Sequence, residues 1–328
     1  MKQPEKHHRI GIIGAGVSGL TCGVLFSERG FHTEILAEQI GQQTTSGAAA
    51  ALWFPYDAEP AAKVIPWALA TYEVLVDLTR DQTSGVSMIE LHQYCRTGEI
   101  EIPEWTSVIS SKVERSRDTY GSVFSSGFSL RVPLMDTTIY LDYLASRFQQ
   151  AGGQIKDGVH LEKLDDVAPK FDVVVNCAGV GARQLARDSD LEPHRGQVAI
   201  VPKVDTLNCA IVCDDAPLMY AIPRATDCVL GGTNEVDDNL NSDPNTTKAI
   251  VAECSRILEI DMPRVLRERV GLRPFRKSGV RLEKQKLRDG RSLIHNYGHG
   301  GSGFTLSWGC AEEVIARFLD APAAVKSA

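Results

Sequence analysis

The sequence predicts an α/β protein with two interleaved domains, and three observations carry this prediction. The N-terminal run IGIIGAGVSG is an apolar strand that enters a glycine turn and a helix, and a second strand, FHTEILAE, follows. Residues 195–235 alternate in strand fashion between turn residues. The 328 residues suit two domains, or one large domain with an inserted lobe. We therefore expect a Rossmann-like domain and an interleaved α+β domain built on a mixed or antiparallel sheet.

The remaining elements follow from local periodicity. Apolar residues at helical spacing predict helices, and a glycine pair or an Asp-Gly pair marks where an element ends or turns. The run QIKDGVHLEKL predicts a strand. A hairpin is expected over VRLEKQKLRDGRSLIHNYG with its turn at Asp289-Gly290. The predicted helices span 20–30, 65–79, 137–153, 247–258 and the closing run TLSWGCAEEVIARFLD.

Composition and charge exclude several classes of protein. The hydrophobic fraction of 43% and charged fraction of 23% are ordinary for a globular chain. A net charge of −7 disfavours a nucleic-acid partner, because binding phosphates needs a basic excess. The apolar run Ile10–Phe26 is short for a membrane span and carries five glycines, so no membrane partner is expected. No signal peptide is recognised, and the C-terminal VKSA matches no common targeting signal, so we expect a cytoplasmic protein.

Cysteine usage favours a reduced intracellular protein. The eight cysteines include no CxxC pair, and most lie among apolar neighbours. Cys209 and Cys213 are close enough in sequence to pair, and the sequence leaves that pairing open.

The N-terminal glycine turn is the strongest local signal of ligand binding. Gly14, Gly16 and Gly19 form G-x-G-x-x-G between a strand and a helix. Such glycines allow a tight turn and a close approach of the backbone to a pyrophosphate, and the helix N-terminus supplies N–H donors. Glu38, at the end of the second strand, is placed to accept hydrogen bonds from ribose hydroxyls. The motif does not distinguish FAD from NAD.

Two further stretches of small residues favour FAD. FDVVVNCAGVGA (171–182) is a buried strand that runs into a small-residue turn, as in flavoproteins that hold FAD across a sheet of distant segments. The alternative is an ordinary parallel strand followed by a helix cap. With TTSGAAAALWFP (44–55) and GHGGSGFT (298–305), this turn gives three regions that can surround one extended ligand.

The motifs resemble the D-amino-acid oxidase family, FAD-dependent oxidases of the glutathione-reductase-like fold. GAGVSGL, TTSGAAAALWFPY, VVNCAG, HRGQV, YAIPR, GLRPFR and HNYGHGGSGFTLSWGCA occur in the family's order and cover nearly the whole chain. The last block is the most specific. The resemblance implies a discontinuous FAD-binding domain over 1–58, 135–194 and 280–328, and a substrate-binding domain over 59–134 and 195–279.

The resemblance also implies which residues bind FAD. They belong to the two glycine turns, the 44–52 stretch and the C-terminal glycine loop: Gly14, Ala15, Gly16, Val17, Ser18, Gly19, Glu38, Thr44, Thr45, Ser46, Ala51, Leu52, Leu161, Ala178, Gly179, Gly300, Gly301, Ser302, Gly303, Phe304 and Thr305. In this interpretation the loop glycines let backbone approach the isoalloxazine ring. Thr305 and the helix N-terminus behind it would favour negative charge on the flavin.

By the same resemblance, three residues form the catalytic site. Arg273 in GLRPFR would hold the substrate carboxylate with two hydrogen bonds, Tyr220 would add its hydroxyl, and the carbonyl of Gly301 would accept from the amino group. The implied reaction transfers a hydride from the substrate Cα to flavin N5 and yields a 2-oxo acid, ammonia and, with oxygen, hydrogen peroxide. A homodimer is the expected assembly. Arg224 and Arg276 are interpreted as ion-pair or surface arginines.

The sequence departs from the family where substrate side chains bind. Ala216 stands where vertebrate-type members carry a second tyrosine on a lid. Asn234 stands where D-aspartate oxidases place an arginine after GGT, which disfavours acidic substrates unless Arg224 substitutes. Phe54 and Ile222 would line the pocket, so we expect a preference for neutral D-amino acids.

A metal site is not expected. His295 and His299 precede glycines on what the sequence suggests is an irregular loop, and no carboxylate lies nearby as a third ligand. Three other functions stay open. They are a glycine- or sarcosine-type amine oxidase, an FAD amino-acid dehydrogenase with another electron acceptor, and a non-catalytic flavin-binding protein.

Overall fold

The computed structural model describes residues 8–109, 113–116 and 123–320. The strands are β1 Arg9–Ile13, β2 His32–Leu36, β3 Val86–Cys95, β4 Glu114–Ser116, β5 Ser126–Met135, β6 Gln154–Lys156, β7 Val173–Asn176, β8 Leu191–Pro202, β9 Ala210–Cys213, β10 Met219–Pro223, β11 Asp227–Gly231, β12 Glu235–Val236, β13 Arg267–Arg276, β14 Arg281–Lys286 and β15 Ser292–Tyr297. The helices are α1 Val17–Glu28, α2 Thr45–Ala48, α3 Ala61–Leu78, α4 Thr106–Ile109, α5 Thr137–Gln150, α6 Ala182–Leu185, α7 Pro244–Leu258 and α8 Gly303–Phe318.

One sheet carries the predicted nucleotide-binding unit. Its six strands run in the order β14-β15-β7-β1-β2-β6, and all neighbours are parallel except the edge pair β14–β15. Helix α1 packs against α5 and α8, and α3 also packs against α8. Ile10, Ile12 and Ile35 are fully buried, as expected for parallel strands covered by helices. The Rossmann-like prediction is confirmed.

The second sheet has nine strands and is mixed. Its path is β12-β8-β11-β10-β9-β3-β5-β4, and β13 pairs with β8 off this path. Every pairing is antiparallel except β3 with β9. Helix α7 covers β8, β10 and β11 with an apolar stripe that includes Ile250, Cys254 and Ile257. The predicted mixed or antiparallel sheet is confirmed.

The chain passes back and forth between the two sheets. It forms β1 and β2 in the six-stranded sheet, then β3 to β5 in the nine-stranded sheet, and returns for β6 and β7. It then builds β8 to β13 of the larger sheet before ending with β14 and β15 of the smaller one. Residues distant in sequence therefore meet wherever the sheets face each other.

Most predicted elements form, with shifted ends. α1 begins at Val17 rather than at residue 20, and α3 begins at Ala61 directly after a proline. The hairpin of β14 and β15 forms as predicted. The strand predicted over QIKDGVHLEKL is wrong beyond Lys156, because Gly158 adopts a φ of +65° that an extended strand cannot continue.

Two observations concern covalent links and membranes. All eight cysteines, including Cys209 and Cys213, are free thiols. In the described ranges, no helix combines the length and the apolar character that a membrane crossing requires. The C-terminal VKSA lies outside the described residues.

Candidate active site

A cavity of about 550 Å³ is lined by residues of both sheets, a size common for small-molecule sites. Nearly all of the sequence-predicted site residues line it. From the cofactor set these are Gly14, Ala15, Gly16, Val17, Ser18, Glu38, Thr44, Thr45, Ser46, Ala51, Leu52, Leu161, Ala178, Gly179, Gly300, Gly301, Gly303 and Phe304, and from the substrate set Phe54, Tyr220, Ile222 and Arg273. Gly19, Ser302 and Thr305 do not line it.

The first glycine turn has no room for side chains. Gly14 has a φ of +97°, and a Cβ there would lie 2.5 Å from the carbonyl oxygen of Cys177. A Cβ on Gly19 would lie 1.9 Å from the carbonyl oxygen of Gly14. Gly19 therefore acts from outside the cavity, because it lets α1 pack directly on the turn.

The N-terminus of α1 faces the cavity. The amide of Val17 donates to Ser46 Oγ at 3.0 Å, which ties the 44–48 segment to the first turn of the helix. Glu38 lies after β2, and its carboxylate is 3.4 Å from the His160 imidazole. Both side chains of this pair line the cavity, so polar groups occupy this end of it.

The second small-residue turn follows β7 beside the first. The amide of Ala178 donates to Asn176 Oδ1 at 3.2 Å, which fixes the start of the turn. Asn176 also lies 3.3 Å from the Nδ1 of His295, which is buried. His295 belongs to β15, inside the predicted hairpin and not in the irregular loop that the sequence suggests for the two histidines. The sequence does not indicate that β15 also pairs with β7.

His299 is a buried neutral side chain. Its Nε2 lies 3.0 Å from Asn296 Oδ1, so Nε2 carries the proton. Burial lowers the pKa of His299 to about 4, and burial together with nearby Arg281 lowers the pKa of His295 to about 4. Within the described ranges, no three His, Cys, Asp or Glu side chains form a group that could hold a metal ion.

The C-terminal glycine loop lies under the segment 54–57. A Cβ on Gly300 would lie 2.0 Å from the carbonyl oxygen of Asp57, and one on Gly301 would lie 2.6 Å from the Tyr56 ring. Gly300 also has a φ of +52°. These two glycines therefore admit the segment 54–57 at close range, and the approach of their backbone to the flavin stays a prediction. Gly303, whose Cβ would meet nothing closer than 3.8 Å, stays open.

Two hydroxyls hold this segment in place. Thr305 Oγ1 accepts from the amide of Phe54 at 3.1 Å and donates to its carbonyl at 3.0 Å. Ser302 Oγ accepts from the amide of Tyr56 at 2.7 Å and donates to its carbonyl. Both hydroxyls are buried, and each accepts one hydrogen bond from the backbone of residues 54–56 and donates one to it. The side chains of Ser302 and Thr305 thus position the segment 54–56, and their contact with the cofactor stays a prediction.

Arg273 lies on β13 with a free face toward the cavity. Its Nη1 donates to the carbonyl of Thr233 at 2.8 Å and to Asn234 Oδ1 at 3.4 Å. A Cβ on Gly196 would lie 2.4 Å from that nitrogen, so this glycine makes room for the guanidinium. Among the described residues, Arg273 forms no ion pair with a carboxylate. The site therefore holds a cation that is hydrogen-bonded but has no paired anion.

Tyr220 lies beside Arg273. Its ring occupies the space above Gly231 on the neighbouring strand, where a Cβ would lie 2.0 Å from Tyr220 Cζ. Burial raises the pKa of Tyr220, and Arg273 partly offsets the increase. The hydroxyl is therefore protonated at neutral pH and can donate a hydrogen bond next to the guanidinium.

Tyr56 is a site residue that the sequence analysis missed. Its hydroxyl accepts from Asn234 Nδ2 at 3.3 Å, and Asn234 in turn accepts from Arg273. Burial and the nearby carboxylates Asp214 and Asp57 raise its pKa. Its place in ALWFPY, next to the predicted Phe54, was the only available signal.

The other two arginines are structural, as expected. Arg224 is buried and its guanidinium pairs with Asp227 at 2.7 Å, outside the cavity, so it does not replace a substrate-binding arginine. Arg276 pairs with Asp188 at 2.9 Å.

A polar pair in the cavity wall was also missed. Gln93 and Asp214 line the cavity, and Gln93 Nε2 donates to Asp214 Oδ2 at 2.8 Å. Gln93 pairs across the sheet with Val212, which pairs with Tyr220. Because residues two apart on a strand share a face, Asp214 lies on the same face as this row. No sequence signal indicated that β3 pairs with β9.

The fold and the cavity define a class of protein: a dinucleotide-binding enzyme with a substrate site between its two sheets. A family model described as FAD dependent oxidoreductase matches residues 9–317, and the chain belongs to this family. The predicted resemblance to D-amino-acid oxidases and the predicted FAD cofactor are confirmed. The chain is an FAD-dependent oxidoreductase that acts on a small molecule.

Relatives cover almost the full length. A D-amino-acid oxidase of Rubrobacter xylanophilus is 39% identical over 93% of this chain and 94% of its own. A D-amino-acid oxidase of Streptomyces coelicolor is 38% identical over 94% and 96%. Among solved structures, the glycine oxidase from Geobacillus kaustophilus superposes with a TM-score of 0.82 over 97% of both chains at 15% identity, which shows a shared fold.

The cavity fits FAD on structural grounds. Side chains are excluded at Gly14, and the first residues of α1, Val17 and Ser18, line the same end of the cavity, where a helix N-terminus favours a pyrophosphate. A continuous cavity then leads from this turn to Gly303 and Arg273. An extended dinucleotide with one end at Glu38 and the other near Arg273 matches that path.

Proposed function

We propose that this protein is a D-amino-acid oxidase. The observation that carries the proposal is the unpaired guanidinium of Arg273 beside the Tyr220 hydroxyl, at the end of a cavity suited to FAD. An amino-acid substrate needs a fixed cation for its carboxylate, and arginine binds carboxylates with two parallel hydrogen bonds. The identity to relatives named D-amino-acid oxidase supports the same function.

In this proposal, Arg273 and Tyr220 bind the substrate carboxylate. Thr233 and Asn234 hold the guanidinium in one orientation, so little side-chain freedom is lost when the substrate binds. Gly301 lines the cavity, and its carbonyl accepts a hydrogen bond from the substrate amino group. Two fixed points then orient the Cα hydrogen, and no side chain is needed as a base.

FAD, when bound, supplies the chemistry by accepting a hydride from the substrate Cα and passing the electrons to oxygen, which becomes hydrogen peroxide. The chain contributes position and a dry environment. Leu52, Phe54 and Ile222 give the cavity an apolar wall that excludes water from the reacting carbon. The imine product is released and hydrolyses to a 2-oxo acid and ammonia.

The substrate side chain meets a largely apolar wall. Phe54 packs edge-on against Trp105 at a ring distance of 5.4 Å, and Ile222 is 3% exposed. Asn234 is neutral and is hydrogen-bonded to Arg273 and Tyr56. It therefore provides no positive charge for an acidic substrate side chain. These contacts support oxidation of neutral D-amino acids and weak activity on acidic ones.

We also propose the two-domain division and the assembly given by the sequence. Segments 1–58, 135–194 and 280–328 would bind FAD, and segments 59–134 and 195–279 would bind the substrate. A homodimer, a cytoplasmic location and oxygen as the acceptor are part of this proposal.

A spectroscopic experiment tests the function. The purified protein should be yellow, and D-alanine should bleach the flavin absorbance under anaerobic conditions, with recovery when air is admitted. L-Alanine serves as the matched control and should not bleach it. Bleaching by glycine or sarcosine but by no D-amino acid would contradict the proposal. Bleaching by D-alanine without recovery in air would indicate a dehydrogenase.

A further inference from the structure

The cavity contains a second charged end, opposite Arg273. Asp214, which directly follows β9, lines it. Among the described residues, no lysine, arginine or histidine forms an ion pair with Asp214. Its single described side-chain partner is the neutral amide of Gln93. A carboxylate left without a counterion in a binding cavity favours a cationic ligand group.

Gln93 adds an independent observation. Its side chain is 6% exposed and lines the cavity, and its Nε2 is committed to Asp214. Its Oε1 is buried and has no hydrogen-bond partner in the described part of the chain. This amide therefore lies within the cavity wall and holds the Asp214 carboxylate from behind. The carboxylate is the group that can meet a ligand, and it favours a hydrogen-bond donor with positive charge, such as an ammonium or a guanidinium.

The sheet sets the distance between the two ends. Gln93, Val212 and Tyr220 lie side by side on β3, β9 and β10. Neighbouring strands are about 4.8 Å apart, so Gln93 lies about 10 Å from Tyr220 across the sheet. Val212 lines the cavity between them and is apolar. A substrate held by its carboxylate at Tyr220 would lay an aliphatic stem over Val212 and bring a charged end to Asp214.

The other charges near Asp214 do not neutralise it. Asp57 and Asp215 are carboxylates, and both act to raise the pKa of Asp214. Asp57 Oδ2 is also buried without a partner in the described ranges. Arg273 is the available cation, and it is committed to the substrate carboxylate in the proposed function. The substrate end opposite Arg273 is therefore a region of net negative charge.

We propose that Asp214 and Gln93 form a subsite for the cationic end of basic D-amino acids, so that D-lysine and D-arginine are preferred over neutral substrates of equal length. The inference rests on the proposed function and names its substrate class. The carboxylate pairs with the cation, Gln93 Nε2 holds the carboxylate in place, and the apolar wall contacts the stem. Neutral D-amino acids still bind, since the carboxylate anchor and the stem contacts are unchanged.

Steady-state kinetics with D-lysine and D-norleucine test the subsite, because the two differ only by the terminal ammonium. The wild-type kcat/KM should be higher for D-lysine, mainly through KM. Asp214→Asn preserves shape and removes charge, and it should lower the ratio of the two kcat/KM values about 10- to 100-fold. Asp215→Asn is the matched control. Asp215 accepts from the Arg96 amide outside the cavity, and the ratio should stay within about threefold.

Two outcomes overturn the subsite. One is a wild-type preference for D-norleucine, and the other is a ratio that D214N leaves within about threefold of wild type. If neither substrate is oxidised, the proposed function fails, and binding decides the subsite. Isothermal titration of the FAD-loaded protein with 6-aminohexanoate and hexanoate then applies. Tighter binding of 6-aminohexanoate, lost in D214N, supports the subsite, and equal binding overturns it.

Discussion

The two halves of the cavity are built in different ways. At the cofactor end, Gly14 and Gly19 remove side chains so that backbone segments meet at van der Waals limits. The substrate end is lined by polar and charged side chains that lie on strands or directly after one: Tyr220, Arg273 and Asp214. The shape of the cofactor end depends on the lack of side chains at its glycines, and the chemistry of the substrate end depends on its polar side chains. A substitution should therefore act on cofactor retention in one half and on substrate choice in the other.

The difference also separates the two halves in the sequence. The cofactor end begins with one local motif, and the spacing of its glycines is enough to predict the geometry of the turn. The substrate end brings together β3, β9, β10 and β13, which lie far apart along the chain. Its geometry depends on strand pairing, which no local pattern specifies.

The largest expected effect is on the cofactor half. Gly19→Ala places a Cβ 1.9 Å from the carbonyl oxygen of Gly14, so α1 cannot pack on the turn. We expect protein that retains no flavin and unfolds at a lower temperature. The flavin-to-protein absorbance ratio and the thermal melt measure both effects. Glu28→Ala, at the exposed end of the same helix and outside the cavity, is the control and should stay yellow.

A large effect on substrate alone is expected from Arg273→Ala. The change removes the cation that binds the carboxylate, a loss of about 2–5 kcal/mol, or roughly 30- to 5000-fold in kcat/KM for D-alanine. Flavin content should not change. As the control, Arg276→Lys alters an ion pair with Asp188 and should affect the melt more than the kinetics. Activity of R273A within about twofold of wild type would show that the carboxylate binds elsewhere.

The pH dependence of substrate choice gives a smaller effect. Desolvation raises the pKa of Asp214, the Gln93 hydrogen bond lowers it, and Asp215 and Asp57 raise it further. Other titratable or charged groups near this end are Tyr56, Tyr220 and Arg273. A cation needs the ionised carboxylate, so the preference for D-lysine should be lost as pH falls through this raised pKa.

The kcat/KM ratio of D-lysine to D-norleucine from neutral to acidic pH measures the effect. The ratio should begin to fall at a higher pH than an ordinary aspartate would give. In D214N the ratio should be flat. A wild-type ratio that does not change with pH would contradict the assignment to Asp214.

The smallest effect concerns stability. The pKa of His299 is about 4 in the folded chain and near 6.5 when exposed, so the unfolded state binds more protons between these values. The contribution of His299 to the free energy of unfolding is therefore complete above pH 6.5. It decreases as the pH is lowered toward 4, by up to about 1.4 kcal/mol per pH unit. Urea unfolding of wild type and His299→Gln measures it. Equal pH slopes in the two proteins would contradict the burial argument.

Part of the fold and site follows directly from the sequence. The first glycine turn and the hairpin at Asp289-Gly290 each carry a local pattern, and both form where that pattern places them. The reason is the same in both cases. Each depends on residues within a few positions of one another, so the residues that are close in sequence are also the ones in contact.

The contacts that the sequence did not reveal also share a cause. Ser302 and Thr305 have the composition of a ligand-binding loop, and only the folded chain shows that residues 54–56 use their hydroxyls. Gln93 and Asp214 are more than a hundred residues apart in sequence and 2.8 Å apart in space. Their meeting depends on the register of β3 with β9, a tertiary property that periodicity does not contain.

The position of β15 has a consequence for how the protein is made. This strand sits between β7 and β14 in the six-stranded sheet, and α8, which follows it, packs on α1 and α3. The other strands of both sheets are therefore synthesised before β15 and α8, which complete the wall of the cofactor cavity. The glycine turn after β1 is therefore synthesised well before β15 and α8, and its binding site is incomplete until these two elements have folded onto it. Until β15 pairs with β7, that edge of the sheet is open to other strands.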